Sequence, residues 1–392
     1  MSYFTNKPKT LRVGALQLTN TLDMERNILH ATPAIEAAVR RGASLIILPE
    51  LYTTGYTCDE QMWENAERME DGPTRTWLTG ITARLNVHIG ASFLEASGEH
   101  FYNTFIICHA GDVVGVVRKQ VPSALEAYLF APAPGGVGSH IIPCPALGLR
   151  VGVGICYETH LSFLADSLVE ERADILVMPH SCPNVERVPE EVMLRFRSVV
   201  LGVPKAYAVA LGIPTIFVNK AGAWSSTMLG WGGEKYFKAN FIGGTQVVDW
   251  NGEVVSIAPK QSDQLLVSDV RIAPSDVMER GMGVAAFHNA VKRTLGAPRA
   301  KYRTWLGPTM PWFLQALFTA NEVAGELFYR SNIRRKRAAL RISLYEGDAP
   351  PPEWQHQRGF AYLSAATVLG GGAAIFAAVK MVAKMYARAH ER

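Results

Sequence analysis

The stretch that most constrains this chain is Leu149–His180, LRVGVGICYETHLSFLADSLVEERADILVMPH. An apolar run laced with glycine, Val151–Ile155, is long enough for a buried strand and breaks at Cys156-Tyr157-Glu158. A helical pattern then runs through Leu161, Leu164, Leu168 and Val169, and a second buried-strand run, Ile175–Met178, closes the unit. This β-turn-α-β unit predicts an α/β fold with one cysteine at the C-terminal end of a strand, where ligands bind in such sheets. A thiol just ahead of a helix N-terminus also meets the positive end of the helix dipole, which favours the thiolate. Cys156 is therefore the leading candidate for a reactive residue.

The remaining chain reads as strands and helices on both sides of this unit. Leu11–Leu18 alternates like a strand, and Met24–Arg41 has Ile28, Ile35, Ala38 and Val39 at helical spacing, with Asp23 as its cap. Leu45–Leu48 is a buried strand leading into Pro49-Glu50-Leu51. Pro73–Leu85 reads as a helix and Val87–Phe93 as a strand. Tyr102–Cys108 and Val113–Val117 form a hairpin across Ala110-Gly111-Asp112, with Arg118-Lys119 at its end. After a Pro/Gly-rich loop, His140–Cys144 and Arg150–Ile155 are strands. Pro189–Ala210 is helical, with Gly202 and Pro204 expected to kink or divide it. Thr215–Asn219, Gly244–Asp249 and Leu265–Val270 read as the last strands.

Three polar residues thus stand at the ends of predicted strands: Glu50, Lys119 and Cys156. Taken singly, each has a plain alternative: a buried cysteine is usually inert packing, and a Glu or Lys after a strand is usually solvated. The segments LIILPELYTTGY, VVGVVRKQVP, VGVGICYETHL with ADILVMPHS, and FIGGTQVVDWNGEVV span roughly residues 10–272. In these pieces, and in their order, the chain resembles the nitrilase, or carbon–nitrogen hydrolase, superfamily. The resemblance implies a four-layer αββα sandwich that pairs into dimers or larger homo-oligomers. It also implies a thiol hydrolase of non-peptide C–N bonds working through Glu50, Lys119 and Cys156.

In that chemistry Cys156 attacks an amide, carbamoyl or nitrile carbon, and Glu50 takes and returns the proton. Lys119 stabilises the oxyanion, helped by backbone N–H groups near Lys119 and Tyr157. Glu126, seven residues past Lys119, matches the family's additional structural glutamate. Glu158 either lines the pocket or caps the following helix. Tyr56, Tyr128 and Cys182 are candidate pocket residues, with Tyr52, Phe130 and Trp224 serving either pocket or core. True nitrilases tend to carry Trp after the nucleophile. Tyr157 stands there instead, which favours an amidase or carbamoyl-amide hydrolase. Tyr-Glu after the cysteine also resembles the N-acyltransferase branch, whose preceding membrane helices are not seen here. Nitrile hydrolysis, N-acyl transfer and a non-catalytic scaffold stay as alternatives.

No cofactor is implied, and the ten histidines show no metal-ligand spacing such as HExxH. Five scattered cysteines without a CxxC pair or a secretory leader lead us to expect a cytoplasmic protein with reduced thiols, Cys58, Cys108 and Cys144 being structural. The net charge of +4 is uneven: from residue 301 onward thirteen Lys/Arg face six Asp/Glu, a net of +7, which leaves −3 for the rest.

That basic excess belongs to a tail outside the resemblance. We divide the chain into a hydrolase domain (1–274), a helical extension with aromatic and basic segments (275–357) and a hydrophobic helix with a basic end (358–392). Trp305, Trp312, Phe313, Phe318 and Phe328 precede the cluster Arg330, Arg334, Arg335, Lys336, Arg337 and Arg341. Phe360–Val379 carries no charge, and about 20 residues at ~1.5 Å each just cross a bilayer. Its Gly370-Gly371-Gly372 and alanines suit a spanning helix poorly. It therefore spans a bilayer, lies on one or packs in an oligomer interface, and the neighbouring aromatic and basic residues favour lipid contact. Nothing resembles a nucleic-acid module.

Overall fold

The computed structural model describes residues 9–58, 60–123, 126–134, 139–185, 190–226 and 237–272, so every expectation for the tail lies outside the described residues. The chain divides into two units, one of Met1–Pro122 with Leu129–Pro311, the other of Ser123–Tyr128 with Trp312–Arg392. Everything below concerns the first unit except where Ser123–Tyr128 is named.

Its first half holds β1 (Lys9–Gln17), α1 (Met24–Arg40), β2 (Leu45–Ile47), α2 (Pro73–Leu85), β3 (His88–Ser97), β4 (His100–His109) and β5 (Asp112–Arg118). Asp23 caps α1 as expected, its carboxylate accepting the Arg26 N–H at 3.0 Å. The β4–β5 hairpin turns through Ala110 (φ +50°) and Gly111 (φ +92°), the left-handed pair that matches strand twist. The second half holds β6 (Ile141–Cys144), β7 (Leu149–Val153), α3 (Ser162–Glu170), β8 (Ile175–His180), β9 (Pro183–Val185) and α4 (Glu190–Leu211). It continues with β10 (Thr215–Asn219), β11 (Ala223–Ser226), β12 (Phe237–Phe241), β13 (Gln246–Val248), β14 (Val254–Ile257) and β15 (Gln264–Ile272).

These strands make two six-stranded sheets, ordered β15-β1-β2-β3-β4-β5 and β14-β13-β10-β8-β7-β6. Pairing is parallel along β1-β2-β3 and along β7-β8-β10, so neighbouring strands there end at the same edge. The last strand returns to the first sheet, pairing antiparallel with β1 from Lys9↔Ile272 to Gln17↔Gln264.

Side chains alternate between two buried faces, which is why the strands read as continuous apolar runs. Val13, Leu45, Ile47 and Phe105 of one sheet meet Val151, Val153, Val177 and Ile216 of the other. The opposite faces pack on helices: Ile46, Ile89 and Ile106 with Ile35 and Leu78, and Leu176, Met178 and Phe217 with Leu164, Leu168 and Val203. Three buried cores separate four layers, helix–sheet–sheet–helix. Each fully buried aliphatic residue contributes roughly 1.5–3 kcal/mol.

The glycines in the leading stretch set how closely α3 lies on β7. A Cβ on Gly152 would fall 2.4 Å from Leu168 Cδ2, and one on Gly154 would fall 2.5 Å from Leu164 Cδ2. One local expectation needs correction. α4 is not divided at Gly202 or Pro204, because Val200, Val203, Tyr207 and Leu211 on either side of the proline bury against the second sheet. Tertiary packing there outweighs the local cost of proline. Tyr52, read as either pocket or core, is core: it is fully buried beside α1 with its hydroxyl 3.2 Å from His30 Nδ1. The small sheet β11-β12-β9 was not anticipated.

Candidate active site

Glu50 lies three residues past β2 and Lys119 directly follows β5, and both side chains are fully buried. Lys119 Nζ donates to Glu50 Oε1 at 2.8 Å, and Asn103 Nδ2 on β4 donates to the same oxygen at 2.8 Å. Asn103 is itself held by Ser92, whose hydroxyl donates to Asn103 Oδ1 at 2.7 Å and accepts the Leu51 N–H at 3.1 Å. Taking both charges out of water costs several kcal/mol per ion, so this pair is a poor device for stability. Buried charge held this tightly points to chemistry.

Cys156 comes from the second sheet, three residues past β7, and is partly exposed. Its backbone stands at φ +50°, and Leu51, beside Glu50, at φ +44°. Left-handed backbone costs a non-glycine residue roughly 1–3 kcal/mol, so both must be held in place. The Cys156 carbonyl accepts the Thr159 hydroxyl at 2.7 Å. The Leu51 carbonyl accepts Lys220 Nζ at 3.1 Å, and the Ser181 hydroxyl donates to the Glu50 carbonyl at 3.1 Å. The latter two contacts tie the end of β2 in one sheet to the ends of β8 and β10 in the other.

Glu158 does more than either role anticipated for it. Its Oε1 accepts the N–H groups of Gln120 at 2.6 Å and Val121 at 3.3 Å, and its Oε2 accepts that of Ile155 at 3.1 Å. One buried carboxylate therefore clamps the chain after Lys119 to the chain before Cys156. Tyr157 is buried beside it. Tyr56 packs on Trp224 and Phe241 at ring-centroid distances of 5.8 and 6.2 Å, with the Lys220 ammonium 5.4 Å above its ring. Cys182 is buried, with its sulfur 4.0 Å from that of Cys156. The Tyr128 side chain lies outside the described residues. Glu126, in Ser123–Tyr128 of the second unit, is buried and accepts the Ser123 N–H at 2.7 Å.

The helix-dipole expectation for Cys156 is not met. Residues Cys156–His160 form a 3-10 turn, and α3 starts only at Ser162. The thiol is instead pushed well above its usual range by its contact with Cys182, by burial and by the Glu50 carboxylate, against the opposing pull of Lys119. A neutral thiol needs a base to deliver it as a nucleophile.

Sequence reading missed Lys220, a second fully buried lysine that directly follows β10. Burial pushes its amine down to about 7, while Glu50 and Cys156 pull the other way. Its placement after the apolar run Thr215–Val218 is the same signal that marked the other three positions. Between about pH 7 and the unfolded lysine value near 10.5, the unfolded chain holds one proton more than the native one at this site. Stability from this group therefore rises with pH across that window and is flat below it. Lys220→Met is expected to flatten the rise in melting temperature between pH 7 and pH 9 relative to the parent chain, and an unchanged pH slope would refute the assignment.

The family profile described as carbon–nitrogen hydrolase matches residues 12–277. An N-carbamoylputrescine amidase of Solanum lycopersicum is 26% identical over 287 residues, covering 71% of this chain and 92% of that protein. A nitrilase of Pyrococcus abyssi is 28% identical over 231 residues, covering 52% of this chain and 86% of the relative. Among solved structures, a carbon–nitrogen hydrolase from Helicobacter pylori G27 superposes with a TM-score of 0.60 at 20% identity, covering 69% of this chain and 92% of that one.

Proposed function

The chain belongs to the carbon–nitrogen hydrolase family, and from that premise we propose that it hydrolyses an amide or carbamoyl-amide through Glu50, Lys119 and Cys156. The observation that carries this reading is the fully buried 2.8 Å Glu50–Lys119 pair, with both charges acting on the Cys156 thiol. Glu50 removes the proton as Cys156 Sγ attacks the carbonyl carbon, and Lys119 steadies the oxyanion. Collapse breaks the C–N bond, and Glu50 returns its proton to the departing nitrogen. Water, deprotonated by the same carboxylate, then cleaves the thioester. Glu158 acts as a structural support, Glu126 holds its own turn through the Ser123 N–H, and Tyr56 and Cys182 contribute to the pocket wall.

A carbamoyl-amide is supported by the tomato relative, named for N-carbamoylputrescine, and by Tyr157 following the cysteine. Nitrile hydrolysis by the same residues is the second reading, favoured by the Pyrococcus abyssi relative. The test is ammonia release from short and long amides, ω-amides, N-carbamoyl amines and nitriles. Release from the carbamoyl compounds or amides alone supports the first reading, release from nitriles alone the second, and none from any class overturns both.

The same reading includes a homo-oligomer and membrane contact through the tail, the latter resting on its aromatic and basic sequence. No described helix is long and apolar enough to cross a membrane, and Phe360–Val379 lies outside the described residues. The full chain is expected to float with anionic vesicles and a chain ending near Lys301 to remain at the bottom of the gradient. Equal behaviour of the two would remove the membrane part.

A further inference from the structure

Cys156 follows β7, while His180 ends β8 and Cys182 lies two residues past it, and one donor atom from each lies within 4.8 Å of the other two. The two sulfurs are 4.0 Å apart. That is the separation of two reduced thiols rather than the ~2.05 Å of a disulfide, so both sulfurs are free to bind. It suits a shared ion: two sulfurs ~2.3 Å from one zinc and 4.0 Å from each other subtend about 120°, close to a tetrahedral angle.

The imidazole is also arranged as metal-binding imidazoles are. His180 Nδ1 lies 3.1 Å from the Met178 carbonyl oxygen, which can only accept. With the proton on Nδ1, Nε2 keeps its lone pair, and the Thr159 hydroxyl 3.2 Å away donates either to it or to the Cys156 carbonyl, not to both. A backbone carbonyl holding the far nitrogen is the usual outer support of a metal-bound histidine. Cys182 is fixed as well, its N–H donating to Asn219 Oδ1 at 2.9 Å and its carbonyl accepting the Ile242 N–H at 3.0 Å. Cys156 is partly exposed, which gives an ion a way in.

We propose that Cys156, Cys182 and His180 form a three-donor site for a thiophilic divalent cation of the zinc class, and that its occupancy blocks Cys156. On binding, each thiol releases its proton to solvent as its sulfur bonds the ion, His180 contributes a lone pair, and water takes the fourth position. Resident catalytic zinc sites keep the reacting position open; here the ion would consume the nucleophile itself. The site is thus inhibitory, and this second half of the proposal rests on Cys156 being the nucleophile.

The test uses the full-length chain and does not depend on turnover. Equilibrium dialysis against zinc is compared for the intact chain, Cys182→Ser, His180→Ala and the Cys156→Ala/Cys182→Ser pair, with circular dichroism to verify folding. The intact chain is expected to hold one zinc more than the double variant. Each single variant should bind at least roughly 10–100-fold more weakly, since loss of even an outer partner costs that much. Cobalt should give thiolate charge-transfer absorption in the intact chain and none from this site in the double variant. Zinc should also protect Cys156 from iodoacetamide, read on its tryptic peptide, and a chain alkylated at Cys156 beforehand should lose the extra zinc without any mutation. Equal binding by the intact and double-variant chains, or unprotected Cys156 at saturating zinc, would overturn the site. Zinc protection in a chain that releases no ammonia would leave the site standing while the hydrolase reading fell.

Discussion

Cys156→Ala is expected to abolish ammonia release, with a loss on the order of 10⁶-fold, the scale seen when a covalent nucleophile is deleted. The loss should be near total because no other group can take over the bond-forming step. Cys182 is buried, with its sulfur 4.0 Å from the one it would have to replace. The raised Cys156 thiol makes a second point. Since the resting sulfur is neutral, the base matters as much as the nucleophile, and Glu50→Gln should lose rate without losing the thiol. Intact-protein mass spectrometry on quenched reactions should show an acyl adduct in the parent chain, and none in Cys156→Ala. Activity of that variant within tenfold of the parent would end the covalent mechanism.

Lys119→Met is expected to destabilise the chain by about 3–5 kcal/mol, because it strips the 2.8 Å partner from a fully buried carboxylate. Replacing both partners should cost less than this single change. In Glu50→Gln/Lys119→Met the stranded charge is gone, and the amide oxygen of the new side chain would still offer Asn103 an acceptor. Urea unfolding of the parent, both single variants and the double variant gives the coupling directly. Strictly additive losses, or a Lys119→Met chain within about 1 kcal/mol of the parent, would show that the pair is not the buried unit described here. Cys156→Ala, by contrast, removes a neutral thiol and should barely move the midpoint. The two experiments therefore separate loss of chemistry from loss of fold.

The sequence made much of this visible because buried strands announce themselves as apolar runs, and a polar residue just past such a run is conspicuous. Glu50 after Leu45–Leu48, Lys119 after Val113–Val117 and Cys156 after Val151–Ile155 were found in that way. Lys220 carries the same signal and was overlooked only because no motif drew attention to it. Asn103 and Ser92 are a different matter. They lie inside strands, and only the register of β3 on β4, which puts Ser92 opposite Phe105 and Asn103 opposite Leu94, brings them to Glu50. Linear spacing carries no trace of that pairing. The dipole argument for Cys156 failed because the chain takes a 3-10 turn before α3 begins, a choice made by left-handed backbone at one residue. β9, β11 and β12 were missed because strands of three to five residues are too short to show a period.

The return of β15 to the edge of β1 has a consequence in time. The partner of Gln17 is Gln264, about 250 residues further along the chain. At the roughly 5–20 residues per second of protein synthesis, β1 waits on the order of 10–50 s with its outer edge unpaired. During that interval an exposed strand edge is open to pairing with another nascent chain. The sheet that carries Glu50 and Lys119 is therefore the first to be made and among the last to be sealed. Yield of active protein should be set by how that edge is shielded during synthesis as much as by the stability of the finished fold.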